Sequence, residues 1–352
     1  MKIGSLDLGP HPLFLAPMED VTDISFRGLC KAHGADVVYT EFVNADGITH
    51  EAQRTLAKMT LREEERPAAI QLYGEDEASL LQAAEVALRY RPDFLDLNFG
   101  CPVRKIAGRG AGAGMLRDVP KLLRITEAIV KHVPVPVTVK TRLGWDSESI
   151  IIHDLALALQ DVGIAALTIH GRTRAQLYTG QADWTHIGQV CHDPQITIPI
   201  IGNGDIHDGP SAAKAFNVYG ASGVMIGRAT YGHPWLFQEI KHFLTLGEEA
   251  PPLGIAERVA IAKQHLQLAI AAKGEKRGIL ELRRHLIAYF KGLPHFKSYR
   301  LALVTTLDPR ALDDMLSKIG EAYADFVPSK EISASPWENA QPAPHDAPHE
   351  LP

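Results

Sequence analysis

Short apolar runs alternate with amphipathic stretches along the first two-thirds of the chain. The runs are LFLAP (13–17), DVVYTEF (36–42), AAIQLY (68–73), DFLDLNF (93–99), PVTVKTR (136–142), AALTIHG (165–171), IPIIGNG (198–204) and SGVMIGR (222–228). They are rich in Val and Ile and apolar on both faces, as parallel strands covered by helices are. The segments between them, such as EASLLQAAEVALRY (77–90) and VPKLLRITEAIVKHV (119–133), carry helical periodicity. Eight β/α alternations in about 235 residues predict an α/β chain folded as a TIM (β/α)8 barrel over 1–248. IGSLDL (3–8) is expected to form a small hairpin closing the barrel bottom. Beyond the proline-punctuated EEAPPLG (248–254) the alternation stops, and periodicity predicts helices over 255–272, 279–293 and 308–326. That makes a small all-helical domain over 249–326. The stretch 327–352, rich in Pro, Ala and polar residues without periodicity, is expected to be a disordered tail.

Polar residues inside the runs collect at one end. Pro17-Met18, Thr40-Glu41, Gln71, Asn98 with Cys101, Lys140 with Arg142, His170, Asn203-Gly204-Asp205 and Gly227-Arg228 all sit where a strand would exit. In a TIM barrel that rim carries the active site. Residues serving stability alone would favour neither end, so the pattern marks a functional face.

Composition narrows the class. Over 352 residues, 45% apolar and 22% charged content is that of a globular protein, and no apolar run approaches a membrane span. The N-terminal stretch, broken by Asp7 and two prolines, does not read as a signal peptide. Cys30, Cys101 and Cys191 are odd in number and widely spaced, which fits a reducing cytoplasm and no disulfide framework. No cysteine pair and no His-Glu-x-x-His run has metal-ligand spacing, so no metal is expected. Nor does a dedicated association motif stand out, and a monomer is expected. The net charge is −6, yet between Lys273 and Arg300 eight basic residues (Lys273, Lys276, Arg277, Arg283, Arg284, Lys291, Lys297, Arg300) face only Glu275 and Glu281. A solvated helix face would explain such a run. With Tyr289, Phe290, Phe296 and Tyr299 interleaved, it also suits a nucleic-acid backbone.

The rim supports particular chemistry. Gly202-Asn203-Gly204-Asp205 and Gly227-Arg228 follow the seventh and eighth runs, where TIM barrels often hold a phosphate on backbone N–H groups, and Arg228 can add a charge-assisted bond. Lys140 could form a Schiff base or act as a plain cation beside a reduced flavin. Gln71 and Asn98 carry amides suited to a flat heterocycle edge, although Asn98 could equally cap its strand. Cys101, at a strand exit before the basic, glycine-laden VRKIAGRGAGAG, is placed as a reactive thiol, against the plainer reading of a buried cysteine beside a turn. That glycine stretch is expected to be a mobile loop. Gly108 to Ala113 satisfies G-x-G-x-x-A but begins some ten residues past the strand, which excludes a Rossmann fingerprint.

APMEDVTDISFRGLC (16–30), YTEF (39–42), IQLYG (70–74), DLNFGCPVRKI (96–106), VKTRLGW (139–145), TIHGRTRAQLYTG (168–180), IIGNGDI (200–206) and MIGRATYGHPWLF (225–237) resemble the tRNA-dihydrouridine synthases, the bacterial B type most closely. The similarity runs from Met1 to about Phe326. Glu19-Asp20 departs from it, where many relatives carry smaller residues. The resemblance implies FMN-dependent reduction of selected uridines in tRNA to 5,6-dihydrouridine, with NADPH as reductant and Cys101 as the proton donor to uracil C5. It implies FMN contacts from Pro17, Met18, Glu19, Gln71, Lys140, Asn203, Gly204, Asp205, Gly227 and Arg228, with His170 close by. Asn98 and Arg174 become uracil or RNA contacts, and Arg104, Lys105, Arg109, Arg283 and Arg284 become candidates for holding the tRNA backbone. Two other readings remain: an FMN barrel acting on a free pyrimidine, as dihydroorotate dehydrogenases do, and a non-enzymatic tRNA-binding protein on a retired barrel.

Overall fold

The computed structural model describes residues 1–49 and 53–327; the tail expected from 327 onward lies, beyond Val327 itself, outside the described residues. Eight strands follow one another around the sheet: β1 (Leu13–Leu15), β2 (Val38–Tyr39), β3 (Ala68–Tyr73), β4 (Phe94–Phe99), β5 (Val137–Arg142), β6 (Ala166–His170), β7 (Ile200–Asn203) and β8 (Gly223–Ile226). Neighbours from β2 through β8 pair in parallel, β8 pairs β1 through Val224–Leu13 and Met225–Phe14, and Phe14 bridges Val37 just ahead of β2. The ring is thereby nearly closed, in chain order, as the alternation predicts. A further short strand, Val43–Asn44, pairs the far end of β3.

Nearly every strand residue is buried, which explains why the runs lack alternation. Inside the barrel, Phe14, Tyr39, Phe94, Ala69, Ala166, Ile201 and Met225 form one cluster. Ile3 joins it from the hairpin of Lys2–Ile3 with Leu6–Asp7, so the expected plug is present. The outer cluster sets helices such as Glu77–Leu88 and Val119–His132 against the strands through Leu80, Ala84, Leu122, Ile125 and Ile129.

The chain then continues into helices that dock beside the barrel mouth. Helix α1 (Ile24–Ala32), following β1, is capped by the Asp23 carboxylate and buries Phe26, Leu29 and Cys30. Against it lie α2 (Ile255–Lys273) and, through His285, α3 (Glu275–Tyr289); α4 (Lys297–Thr305) packs on α3 and α5 (Pro309–Ala322) on α2. Their core of Ala262, Leu266, Ile279, Leu286, Tyr289, Leu312 and Leu316 also takes in Leu29 and Trp235, so the helices share a buried seam with α1 and the loop after β8. Helix α3 starts four residues before the predicted 279, because Gly274 at φ 78° lets the chain turn straight from α2 into α3. Helix α4 was not legible in the pattern: Leu303 is its only buried residue and Leu301 is 64% exposed, so it shows little amphipathic contrast. At Gly232 (φ 66°) a Cβ would stand 2.2 Å from Ala288 Cβ, which marks how closely the loop after β8 meets α3.

This junction is polar at its centre. The Phe26 ring lies 4.5 Å from His285 and 5.8 Å from His265, and His265 Nδ1 is 2.8 Å from the Tyr289 hydroxyl. The Lys273 ammonium pairs with both Asp23 and Glu281. Burial pushes His265 down to about 4 and His285 well below the usual imidazole range. Both rings are thus neutral in the folded protein near pH 6, whereas in the unfolded chain they protonate near pH 6.5. The stability they contribute is complete above that value and is lost as pH falls toward 4. Denaturant melts between pH 7 and pH 4.5 are expected to show a steep acid-side loss. His265→Gln should flatten that slope, and an unchanged slope would contradict the buried-neutral assignment.

Candidate active site

The C-terminal ends of β3 to β8 converge on one mouth. On β4, Asp96 and Asn98 are two residues apart and so share a face; on β5, Thr138, Lys140 and Arg142 do the same. Gln71 of β3 lies between the two β4 side chains: its Nε2 donates to Asp96 Oδ2 at 2.6 Å and its Oε1 accepts from Asn98 Nδ2 at 2.8 Å. Asn98 Oδ1 then accepts the backbone N–H groups of Gly100 (3.0 Å) and Cys101 (2.9 Å). A hydrogen-bond relay therefore runs from a buried carboxylate to the backbone of the thiol. Asn98 does cap its strand, which leaves its amide one N–H for any other partner. Burial pushes the Asp96 carboxyl up to about 6, against the hydrogen bonds from Gln71 and Thr138.

Cys101 is 8% exposed, and burial raises its thiol above the ordinary cysteine range, so it keeps its proton at neutral pH. The glycine stretch behind it is not the loose loop expected from composition. Arg104–Ala107 and Gly112–Arg117 form short helical turns, Ala111 to Leu116 are buried, and Ala113 N–H bonds the Cys101 carbonyl at 3.0 Å. A Cβ on Gly114 would stand 2.4 Å from the Ala107 carbonyl oxygen. Close packing, rather than mobility, requires glycine there.

The opposite wall is cationic. Lys140 donates to Asn203 Oδ1 at 3.1 Å, and Asn203 is held by its own Nδ2 bond to the Met225 carbonyl at 2.8 Å. Burial, then repulsion from Arg142, brings the Lys140 ammonium down to about 8. Arg142 reaches the carbonyls of Gly100, Thr173 and Leu177 at 2.7–2.8 Å. Arg172 donates to Gly180 O (2.6 Å) and to Asp205 Oδ2 (2.8 Å), with Nη1 3.3 Å from His170 Nε2. Arg228 meets Asp205 Oδ1 at 3.3 Å. The Tyr178 ring lies between Arg142 (5.4 Å) and Arg228 (5.3 Å). Burial pushes His170 well below its usual range and these cations push the same way, so its imidazole is neutral.

Gly204 and Asp205 leave β7 at φ 123° and 53°. A Cβ at Gly204 would meet Ala182 Cβ at 2.7 Å, so a side chain there is excluded. At Gly227 the nearest atoms to a Cβ are Ala16 Cβ (3.6 Å) and Met18 Sδ (3.7 Å), which puts the Pro17-Met18 exit of β1 beside that loop. Four cations, Lys140, Arg142, Arg172 and Arg228, thus meet with Asp205 and Asp96 around the glycine-bearing loops after β7 and β8. The donor set fits a phosphate-bearing, flat anionic ring. Glu19 is set apart: it pairs with Lys58, which also lies 3.5 Å from Glu41. Among the described residues, Glu19, Asp20 and Glu41 bring carboxylate oxygens within 4.8 Å of one another, and Lys58 answers their charge.

Of the expected RNA contacts, Asn98 lies in the relay beside Cys101 and the others lie outside this cluster. Arg104, Lys105 and Arg109 are exposed on the segment after Cys101, and Arg174 stacks 4.6 Å over Trp145. Arg284 is exposed on α3 and Arg283 is half-buried there. Lys273 and Arg277 of the basic run are engaged with Asp23 and Glu281; Lys276, Arg284, Lys297 and Arg300 are exposed beside them. Sequence reasoning missed Asp96, Arg172 and Tyr178. Asp96 carried a signal, a carboxylate inside a strand buried on both faces, whereas the other two sit on a loop without periodicity.

The family model described as dihydrouridine synthase (Dus) matches residues 14–323. The chain is 37% identical over 328 residues to a probable tRNA-dihydrouridine synthase of Rickettsia bellii, covering 93% of this chain and 99% of the relative. It is 36% identical over 300 residues to tRNA-dihydrouridine synthase B of Pseudomonas aeruginosa (85% and 90%). It is 41% identical over 296 residues to probable tRNA-dihydrouridine synthase 1 of a Synechocystis species (84% and 82%). Among solved structures it shares a fold with histamine dehydrogenase from Rhizobium sp. 4-9, at TM-score 0.53 and 11% identity over 75% of this chain and 50% of that one. It shares it also with a morphinone reductase mutant in complex with tetrahydroNAD, at TM-score 0.51 and 13% identity over 72% and 91%. With a matching family model across most of its length and relatives covered almost end to end, this chain belongs to the dihydrouridine synthase family.

Proposed function

We propose that this protein reduces selected uridines in tRNA to 5,6-dihydrouridine, with FMN resident in the mouth and NADPH as the reductant. The observation that carries the reading is one mouth holding a buried, protonated thiol on one wall and a cluster of cations on the other. Lys140, Asn203, Gly204, Gly227 and Arg228 would hold the ring and phosphate, with Pro17, Met18 and Gln71 around its edge. Asp205 would act through Arg172 and Arg228, and Glu19 only from the periphery. When bound there, FMN supplies a hydride to uracil C6.

The chain's own residues do the rest. Cys101 holds a proton and gives it to uracil C5, and its raised pKa keeps that proton in place at neutral pH. The Gln71–Asn98 relay fixes the backbone that carries the thiol, so the donor is aimed before the substrate arrives. His170, neutral beside Arg172, can donate or accept a hydrogen bond without adding charge. A uracil stacked in folded RNA cannot reach a thiol this buried, so the nucleotide must leave its stack at a cost of a few kcal/mol. Backbone contacts from Arg104, Lys105, Arg109 and the exposed cations of α3 and α4 would offset that. The proposed setting is the cytoplasm, with the protein acting on tRNA as a monomer; no helix among the described residues is long and apolar enough to cross a membrane.

Two outcomes test this reading. Cys101→Ala should leave NADPH-driven flavin bleaching intact while dihydrouridine formation falls roughly 10²–10⁴-fold; undiminished product would remove Cys101 from the mechanism. Lys140, down at about 8, is charged below that pH and neutral above it. Uridine reduction should therefore decline above about pH 8, and Lys140→Met should be slow and lack that limb. An alkaline limb of the same position in Lys140→Met would assign it elsewhere.

A further inference from the structure

Outside the mouth, Trp145 carries two guanidinium groups: Arg174 at 4.6 Å and Arg117 at 5.0 Å from the ring centroid. Among the described residues neither has a carboxylate at ion-pair distance, and Arg174 Nε is buried without a hydrogen-bond partner. The nearby acids are occupied locally. Asp118 caps the helix Val119–His132 through Lys121 N–H (3.1 Å), and Asp146 accepts from Ser149 Oγ (2.7 Å) and Glu148 N–H (3.1 Å). Two like charges gathered on one indole, with donors left over, is the arrangement that an anion completes. Stacking occupies the guanidinium faces and leaves their edges to form forked hydrogen bonds with phosphate oxygens.

The position of this group relative to Cys101 is set by the backbone. Arg174 N–H bonds Gly144 O at 2.9 Å and Ala175 N–H bonds Trp145 O at 2.8 Å, so the loops after β5 and β6 are zipped together. Arg142 ties the residue before Arg174, Thr173, to the residue before Cys101, Gly100, at 2.8 Å each. The Gly112–Arg117 turn, whose last residue is Arg117, starts against Cys101. All three members therefore stand on segments that touch the thiol's own segment, across the mouth from the helices that pack on α1 and the loop after β8.

We propose that Arg117, Trp145 and Arg174 form a phosphodiester clamp that takes an RNA backbone phosphate next to the nucleotide whose base enters the mouth. The inference rests on the tRNA reading above and adds a second grip, opposite the basic helices. The 2′-phosphate of NADPH offers the same chemistry, and the test separates the two.

The experiment measures binding of an unmodified tRNA transcript across a range of salt concentrations, for wild type, Arg117→Gln/Arg174→Gln and Arg117→Lys/Arg174→Lys. Each lost phosphate contact should lower the slope of log affinity against log salt by about 0.7–0.9. The Gln pair is expected to lose about 0.7–0.9 in slope and to weaken binding at least several-fold at low salt, and the Lys pair, which keeps the charge, should retain most of the slope. Thermal melts of both variants should match wild type, because the two loops stay tied by backbone bonds. A Gln pair with the wild-type slope and affinity overturns the clamp while leaving the tRNA reading in place. So does a raised KM for NADPH but not for NADH with tRNA binding unchanged. Failure of wild type itself to bind tRNA would overturn both. Arg284→Glu, on the other side of the mouth, should lower the slope in wild type and in the Gln pair alike.

Discussion

Arg142 is a buried guanidinium whose partners are carbonyl oxygens. It spans Gly100 on one side and Thr173 and Leu177 on the other, and no carboxylate meets its charge among the described residues. Burying a cation costs several kcal/mol unless its donors are satisfied, so the three carbonyls must stay where they are. They belong to the segment that ends in Cys101 and to the loop that carries Arg172, Arg174 and Tyr178. One side chain at the end of β5 thus ties the thiol's segment to the outer rim, and its charge adds to the burial that keeps His170 neutral. It also makes the mouth positive before anything binds, with burial holding Lys140 at about 8 and Arg142 itself down to about 10.

The thiol meets this field from the other direction. Neighbouring cations favour the thiolate, yet burial prevails and the proton stays on. A nucleophile would need the opposite balance. The Asp96–Gln71–Asn98 relay explains how the group is held without charging it: each amide has only one orientation that satisfies both neighbours, and the buried carboxylate sets the direction of the series.

Much of this was legible in the chain. Strands covered on both faces show as continuous apolar runs, and any polar residue within them stands out; Gln71, Asn98, Lys140, His170 and Asn203 were visible for that reason. Asp96 was equally visible and passed over, since its role appears only with its partners. Arg172 and Tyr178 lie on a loop where no period constrains residue type, and Trp145 reads as an ordinary aromatic until two arginines are seen on it. The glycine stretch 107–114 misled because composition cannot distinguish glycine used for freedom from glycine used for close approach. The basic run looks like one surface in the sequence, although Lys273 turns inward to join α2 and α3 to Asp23 at the start of α1, and Arg277 is paired with Glu281 on its own helix.

The central claim is that the mouth acts on a uracil presented by folded RNA. It is tested most directly by supplying the purified flavin-loaded protein with NADPH and, separately, an unmodified tRNA transcript, free uridine, uracil or orotate. The account predicts NADPH oxidation only with the transcript, one equivalent for each dihydrouridine formed. Turnover of a free pyrimidine at a comparable rate, or NADPH consumption without dihydrouridine in the RNA, would contradict it.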